Sequence, residues 1–185
     1  MNLQNKTLIV TGVASGIGAE LARLARFQGA TVIGVDRHEP QLTLDGFFQA
    51  DLGDPASIDA LVARLPARVD GLCNIAGVPG TAPVPAVATV NYLGLRHLTQ
   101  ALLPRMSAGG SIVNVASVLG AQWPQRLERH KALAATQSYQ AGQQWLARSG
   151  WTPAAETIVP TTGARGGLMA IIAATTMPGD RIAFE

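Results

Sequence analysis

Residues 11–18, TGVASGIG, follow the apolar run Thr7-Leu8-Ile9-Val10 and lead at once into a helix-like stretch over residues 19–28. No other segment narrows the possible folds as far. A buried strand that stops on closely spaced glycines and turns into a helix presents free N–H groups and the positive end of a helix dipole to whatever binds there. Gly12 and Gly16 allow the tight turn and the approach of a pyrophosphate, and Gly18 lets the helix pack close to the strand. The next apolar run, residues 30–35, ends on Asp36, 18 residues after Gly18. A carboxylate there accepts hydrogen bonds from the hydroxyls of an adenosine ribose. Strand, corner, helix, strand and acid in that order predict dinucleotide binding. Asp36 would repel a 2′-phosphate, which favours NAD over NADP; the adjacent Arg37 could instead receive that phosphate.

Composition fits a single domain around this corner. A chain of 185 residues with 48% hydrophobic side chains can fill a sizeable core. The net charge is only +2 and the basic residues are scattered, so no run would track a phosphate backbone and nucleic acid is not an expected partner. Cys73, the single cysteine, sits in an apolar strand pattern and reads as a small buried hydrophobe. His38, His97 and His130 have no second ligand at metal-like spacing, so no metal is expected. The N-terminus has no basic-then-apolar signal, and no apolar run is long enough to span a bilayer. A soluble cytoplasmic protein without a membrane partner is the expectation.

Strand-like and helix-like segments alternate as far as Ser117. Residues 47–50 predict a short third strand, ending at Asp51-Leu52. Asp54-Pro55 predicts a helix start, an N-cap followed by proline at the first helical position, with the helix running to about Leu65. Residues 69–75 predict a fourth strand closed by Ala76-Gly77. A Pro- and Gly-rich loop over residues 78–85 precedes a long helix pattern from about Ala86 to Met106. Gly109-Gly110 then turns into a fifth strand over residues 111–117. This alternation predicts an α/β, doubly wound parallel sheet with helices on both faces. Residues 1–150 form the expected dinucleotide-binding Rossmann domain, and residues 151–185 an atypical C-terminal tail.

Roughly residues 5–135 resemble the short-chain dehydrogenase/reductase family. The corner has that family's T-G-x-x-x-G-x-G spacing. Asp51-Leu52 matches the pair placed beside the adenine ring, and Asn74-Ile75-Ala76-Gly77 matches the N-x-A-G segment that braces the sheet beside the cofactor. Asn91-Tyr92-Leu93-Gly94 matches the asparagine-bearing N-x-x-G, and residues 112–117, IVNVAS, match the strand that delivers the catalytic serine. The short connection after Asp36 and residues 123–146 look like the branch holding coniferyl alcohol dehydrogenases and 3α-hydroxysteroid dehydrogenase/carbonyl reductases. The resemblance implies NAD bound by Gly12, Ser15, Gly16, Ile17, Gly18, Asp36, Arg37, Asp51, Leu52, Asn74, Ala76 and Gly77. It implies catalytic positions at Ser117 and Asn91, and a small alcohol or carbonyl compound as substrate. Family members pair through two of their long helices, which leaves a homo-oligomer open here.

The family's chemistry also needs a tyrosine as general acid or base and a lysine four residues later that lowers its pKa. Tyr92 and Tyr139 are the only tyrosines, and Lys6 and Lys131 the only lysines. Position 143, four residues after Tyr139, is Gln143, which supplies no positive charge. No Y-x-x-x-K exists in the chain. Two readings of Tyr139 stand: a solitary proton donor, or an ordinary residue of an inserted helix with Trp145 and Leu146 on its apolar side.

Residues 151–185 contain neither tyrosine nor lysine and read as foreign to the family, with the last strand and helix lacking. A frameshift, a premature end or a deletion would each produce such a tail. The function expected by resemblance is NAD-dependent interconversion of an alcohol, aromatic or steroidal, with its aldehyde or ketone. The alternatives are a catalytically inactive NAD-binding remnant and a product that does not fold stably.

Overall fold

The computed structural model describes residues 3–80, 82–116 and 124–149. Five parallel strands form one sheet: β1 (Thr7–Thr11), β2 (Thr31–Asp36), β3 (Gly46–Gln49), β4 (Val69–Asn74) and β5 (Met106–Asn114), in the order β3-β2-β1-β4-β5. Helix α1 (Gly16–Phe27) joins β1 to β2, and α2 (Pro55–Arg64) joins β3 to β4. The expected doubly wound parallel sheet is therefore what forms. The central strands β1, β2 and β4 are largely buried because both faces are covered there, whereas the edge strand β5 is mostly exposed, Val113 included. On one face Ala22 and Ala25 of α1 pack against Val10, Val32 and Cys73. On the other, Ile58 and Leu61 of α2 and Leu98 and Leu102 of a later helix meet Ile9, Leu72 and Val69. Each such fully buried large aliphatic side chain contributes about 1.5–3 kcal/mol. The chain winds outward from β1 in one direction and then restarts at β4 on its other side. A crevice opens between the carboxyl ends of β1 and β4, where loops diverge.

Asp54 caps α2 as expected, its Oδ1 accepting from the Ala56 N–H at 3.0 Å. The single long helix expected over residues 86–106 is instead composite. It comprises α3 (Val84–Ala88), a π-helical turn (Thr89–Gly94), α4 (Leu95–Leu102) and a 3-10 turn (Leu103–Arg105). Pro104 ends the α-helical run because its ring lacks an N–H and crowds the preceding turn. The π turn lets four consecutive residues, Asn91 to Gly94, face inward together. Its Gly94 lies so close to the Leu52 carbonyl that no side chain would fit between them.

The fifth strand also differs from expectation, beginning at Met106 rather than at Ser111. Gly109, at a φ of +78°, sits within it, where the pairing shifts from Val69↔Met106 to Gly71↔Ser111. The two glycines form a bulge in β5 and not a turn before it. Helices α5 (Leu127–Ala134) and α6 (Tyr139–Arg148) pack back on the π turn through Leu133, Tyr139 and Trp145. Ser117, the expected catalytic serine, lies outside the described residues, as do Trp123 and the 151–185 tail.

Candidate functional site

The crevice at the carboxyl ends of β1, β2 and β4 is a cleft of about 380 Å³. Its floor is the glycine corner. Gly12 has a φ of +78°, and a Cβ there would stand 2.9 Å from the Ala76 N, so only glycine fits. A Cβ on Gly18 would lie 2.1 Å from the Gly12 carbonyl oxygen, which is how α1 comes so close to β1. At Gly16 the corresponding space is open, with no atom within 4 Å. Ser15 precedes α1 in extended conformation and does not cap it through its side chain, and the first turn carries no acid. The N-terminal amides of α1 therefore remain available to an anion.

The Asp36 carboxylate closes one end. Its Oδ2 accepts from the Ala14 N–H at 2.9 Å, and its Oδ1 accepts from the His38 N–H at 3.0 Å. These bonds tie the end of β2 to the glycine corner and leave lone pairs on both oxygens for ligand hydroxyls. Arg37 and His38 are exposed along the rim. Asp51 and Leu52 line the next stretch. The Asp51 Oδ1 accepts from the Gly53 N–H at 2.7 Å, and the Ser57 hydroxyl accepts from the Asp51 N–H at 2.9 Å. Ile75, Ala76, Gly77 and Val78 form the wall opposite.

Of the residues named from sequence, Gly12, Ser15, Gly16, Ile17, Gly18, Asp36, Arg37, Asp51, Leu52, Ala76 and Gly77 all line this one cleft. Asn74 lies behind it. Its Nδ2 donates to Thr99 Oγ1 at 3.1 Å and to Asn114 Oδ1 at 2.8 Å, locking β4 to α4 and β5. Asn91 is buried as well: its Nδ2 donates to the Val78 carbonyl at 2.9 Å and its Oδ1 accepts from the Val78 N–H at 2.8 Å. It thereby fixes the loop that walls the cleft.

Two contributors went unnamed in the sequence. Thr11 accepts through Oγ1 from the Ile75 and Ala76 N–H groups at 2.9 and 3.0 Å, stitching the corner to the opposite wall. Its place as the first residue of the T-G spacing was the available signal. Ala14 holds Asp36 through its backbone, which no side-chain pattern could announce.

Tyr139 does not reach the cleft. It is 2% exposed, and its hydroxyl donates to the Gly53 carbonyl at 2.5 Å. Burial pushes its pKa up, the nearby Asp54 and Asp51 carboxylates add to this, and a hydrogen bond with Thr89 only partly opposes it. Burial likewise raises the Tyr92 phenol, partly offset by Arg96. Lys131 pairs with Glu128 at 2.9 Å and Lys6 with Asp70 at 3.8 Å, so each lysine is engaged with a carboxylate. Neither tyrosine has the environment of a lysine-activated acid or base. Cys73 is buried, its thiol pushed up to about 11. Among the described residues no cluster of His, Cys, Asp or Glu could hold a metal, and no helix is long and apolar enough to cross a membrane.

The short chain dehydrogenase family profile matches residues 6–128. The coniferyl-alcohol dehydrogenase of Pseudomonas sp. strain HR199 is 60% identical over 153 residues, which cover 83% of this chain and 60% of that protein. The short chain dehydrogenase ausX of Aspergillus calidoustus is 37% identical over 136 residues, covering 63% of this chain and 53% of that one. Among solved structures, a short chain dehydrogenase of Shigella flexneri in complex with NADP superposes with a TM-score of 0.56 at 27% identity, over 64% of this chain and 62% of that one. The chain thus spans about half to three-fifths of the length of the curated relatives it matches.

Proposed function

Because the chain belongs to the short chain dehydrogenase family, we propose that it serves NAD-dependent interconversion of an alcohol with its aldehyde or ketone, and that an aromatic alcohol of the coniferyl type is the substrate. The cleft with its open corner at Gly16 and Asp36 at one end carries this reading, and the similarity to the Pseudomonas enzyme suggests the substrate class. The residues present fit a nicotinamide dinucleotide. The α1 amides and the open space at Gly16 suit the pyrophosphate, the Asp36 oxygens suit ribose hydroxyls, and Asp51 with Leu52 suits an adenine edge. Asp36 favours NAD over NADP, since a 2′-phosphate would bring negative charge against an existing carboxylate; Arg37 on the rim opposes this.

When bound, the nicotinamide ring supplies a hydride acceptor or donor. In this scheme Asn91 keeps the Val78 loop in place along the cleft wall, Thr11 holds Ala76 against the corner, and Ser117 polarises the substrate oxygen. A second reading follows from Tyr139. Its hydroxyl is engaged with Gly53, and the Y-x-x-x-K pair is absent, so the chain as it stands binds NAD without efficient proton transfer.

Melting the purified chain with NAD and with NADP tests the first step. A ligand at a hundredfold excess over its dissociation constant adds about 2.7 kcal/mol of apparent stability. A shift with NAD together with NADH formation from coniferyl alcohol supports the oxidoreductase. A shift without turnover supports the binding protein, and no shift with either nucleotide overturns both.

A further inference from the structure

The Asp51–Gly53 turn, whose Asp51 and Leu52 line the cleft, is held from outside by the helix layer. The Leu52 carbonyl abuts Gly94 of the π turn, and the Gly53 carbonyl accepts the Tyr139 hydroxyl at 2.5 Å. Inside the turn, the Asp51 Oδ1 accepts the Gly53 N–H at 2.7 Å, and the Asp51 carbonyl accepts the Asp54 N–H at 3.2 Å. The Gly53 carbonyl shares its peptide with the Asp54 N–H that bonds the Asp51 carbonyl, and Gly53's own N–H holds the carboxylate, so a displacement of Gly53 is passed to Asp51. Tyr139 reaches Gly53 from the start of α6, 86 positions along the chain, and is itself fixed by an edge contact with the His97 ring at 6.0 Å. His97 in turn bonds Asp59 at 2.7 Å.

We propose that Tyr139 is a positioning residue for the adenine end of the nucleotide site, acting through the Gly53 carbonyl to aim the Asp51 carboxylate into the cleft. The inference rests on the nucleotide reading above. It gives the α5–α6 hairpin a role in selecting the base of the ligand, although no residue of the hairpin touches the cleft. With Oδ1 bonded to Gly53, the Asp51 Oδ2 is directed to a donor on the ligand, such as the adenine amino group. A base carrying a carbonyl oxygen at that position meets a negative charge and binds less well.

The test compares NAD with nicotinamide hypoxanthine dinucleotide, in which that amino group is replaced by an oxygen, by calorimetric titration of the full chain. Wild type should prefer NAD. Tyr139→Phe keeps the ring and its packing and should reduce the preference about three- to tenfold, the scale of one hydrogen bond. Asp51→Asn should abolish it, and adding Tyr139→Phe to Asp51→Asn should change nothing further, because the phenol acts only through that carboxylate. Tyr92→Phe removes the chain's other phenol, which also packs on the hairpin, and should leave the preference intact.

A wild-type measurement needs no substitution at Tyr139. With two tyrosines in the chain, 3-fluorotyrosine labelling gives two fluorine resonances, assigned through Tyr92→Phe. The Tyr139 resonance should move more on NAD than on the hypoxanthine analogue. An unchanged preference in folded Tyr139→Phe, or a Tyr139 resonance indifferent to the base, overturns this inference alone. Wild type that binds neither dinucleotide overturns the nucleotide reading and this one with it.

Discussion

Replacing Arg96 with methionine should lower the melting temperature by roughly 6–12 °C, on the scale of about 2–4 °C per kcal/mol for a chain of this size. Arg96 is 2% exposed on α4, and its hydrogen bonds all run to carbonyl and hydroxyl oxygens. Its Nη1 donates to the Thr136 carbonyl at 3.1 Å and Nη2 to the Ser138 carbonyl at 3.0 Å, while both reach Thr136 Oγ1 at 3.2 Å. The contacts to Tyr92, Leu133 and Ala134 lie at 3.4–3.5 Å, too long to contribute much. The guanidinium also stands 5.3 Å from the centre of the Tyr92 ring.

Methionine keeps the packing of the stem and removes the burial cost of the cation. It also strands two carbonyls at the turn between α5 and α6. Hydrogen bonds from a charged donor contribute about 1.5–3 kcal/mol each, already net of exchange with water. Two such bonds, reduced because the partly buried carbonyls recover some hydration, give about 3 kcal/mol. Arg96→Lys keeps the charge but not the planar fork, so it should recover less than half of the loss. Circular dichroism melts of wild type and both variants provide the measurement. A methionine variant melting within about 2 °C of wild type would show that burial of the cation cancels its bonds, and would refute this account of what pins the hairpin.

Gly18→Ala sets a methyl carbon 2.1 Å from the Gly12 carbonyl oxygen. It should cost about 1–3 kcal/mol of stability, as overpacking does, and remove the NAD-induced melting shift; a retained shift argues against the corner as the anion site. Asp36→Ser removes the charge facing the ribose. Calorimetric titration should show the ratio of NAD to NADP affinity falling by about tenfold, equal to 1.4 kcal/mol, and an unchanged ratio would exclude Asp36 from cofactor choice. Asp45 has its pKa lowered first by the Val32 N–H, which it accepts at 2.8 Å, and then by Arg26. Its unfolded value is near 3.9, so on acidification the unfolded chain takes up this proton first. The stability Asp45 supplies is present above that pH and lost as pH falls through the folded value. Urea midpoints of Asp45→Asn between about pH 5 and pH 2 should therefore fall less steeply than those of wild type.

What the sequence disclosed and what it hid divide along physical lines. The glycine corner and the Asp54-Pro55 helix start were legible because each depends on a local backbone demand that few residue types meet, and Asp36 because its carboxylate falls at the end of the strand that follows the corner. Asn74 and Asn91 were legible only through motif resemblance, and their bonds to Asn114 and Val78 depend on tertiary placement. The π turn was hidden, since a stretch such as Asn91-Tyr92-Leu93-Gly94 satisfies an α-helical pattern equally well. Arg96 was hidden for a different reason. A cation on a helix reads as solvated, and only the carbonyls converging from the α5–α6 turn keep it inside. Gly109-Gly110 read as a turn because glycine pairs punctuate chains, and only the pairing of β5 with β4 makes them a bulge.

The π turn over Thr89–Gly94 also bears on the length of the chain. Such a turn holds one residue more than an α-helical turn between the same two flanks. It accommodates that extra residue between α3 and α4 within one continuous helical run. Deleting one residue there would restore a regular helix with α3 and α4 still in place. The inward face would shrink from four adjacent residues to the usual alternation, and either the grip of Asn91 on Val78 or the seat of Tyr92 and Leu93 beneath the hairpin would be lost.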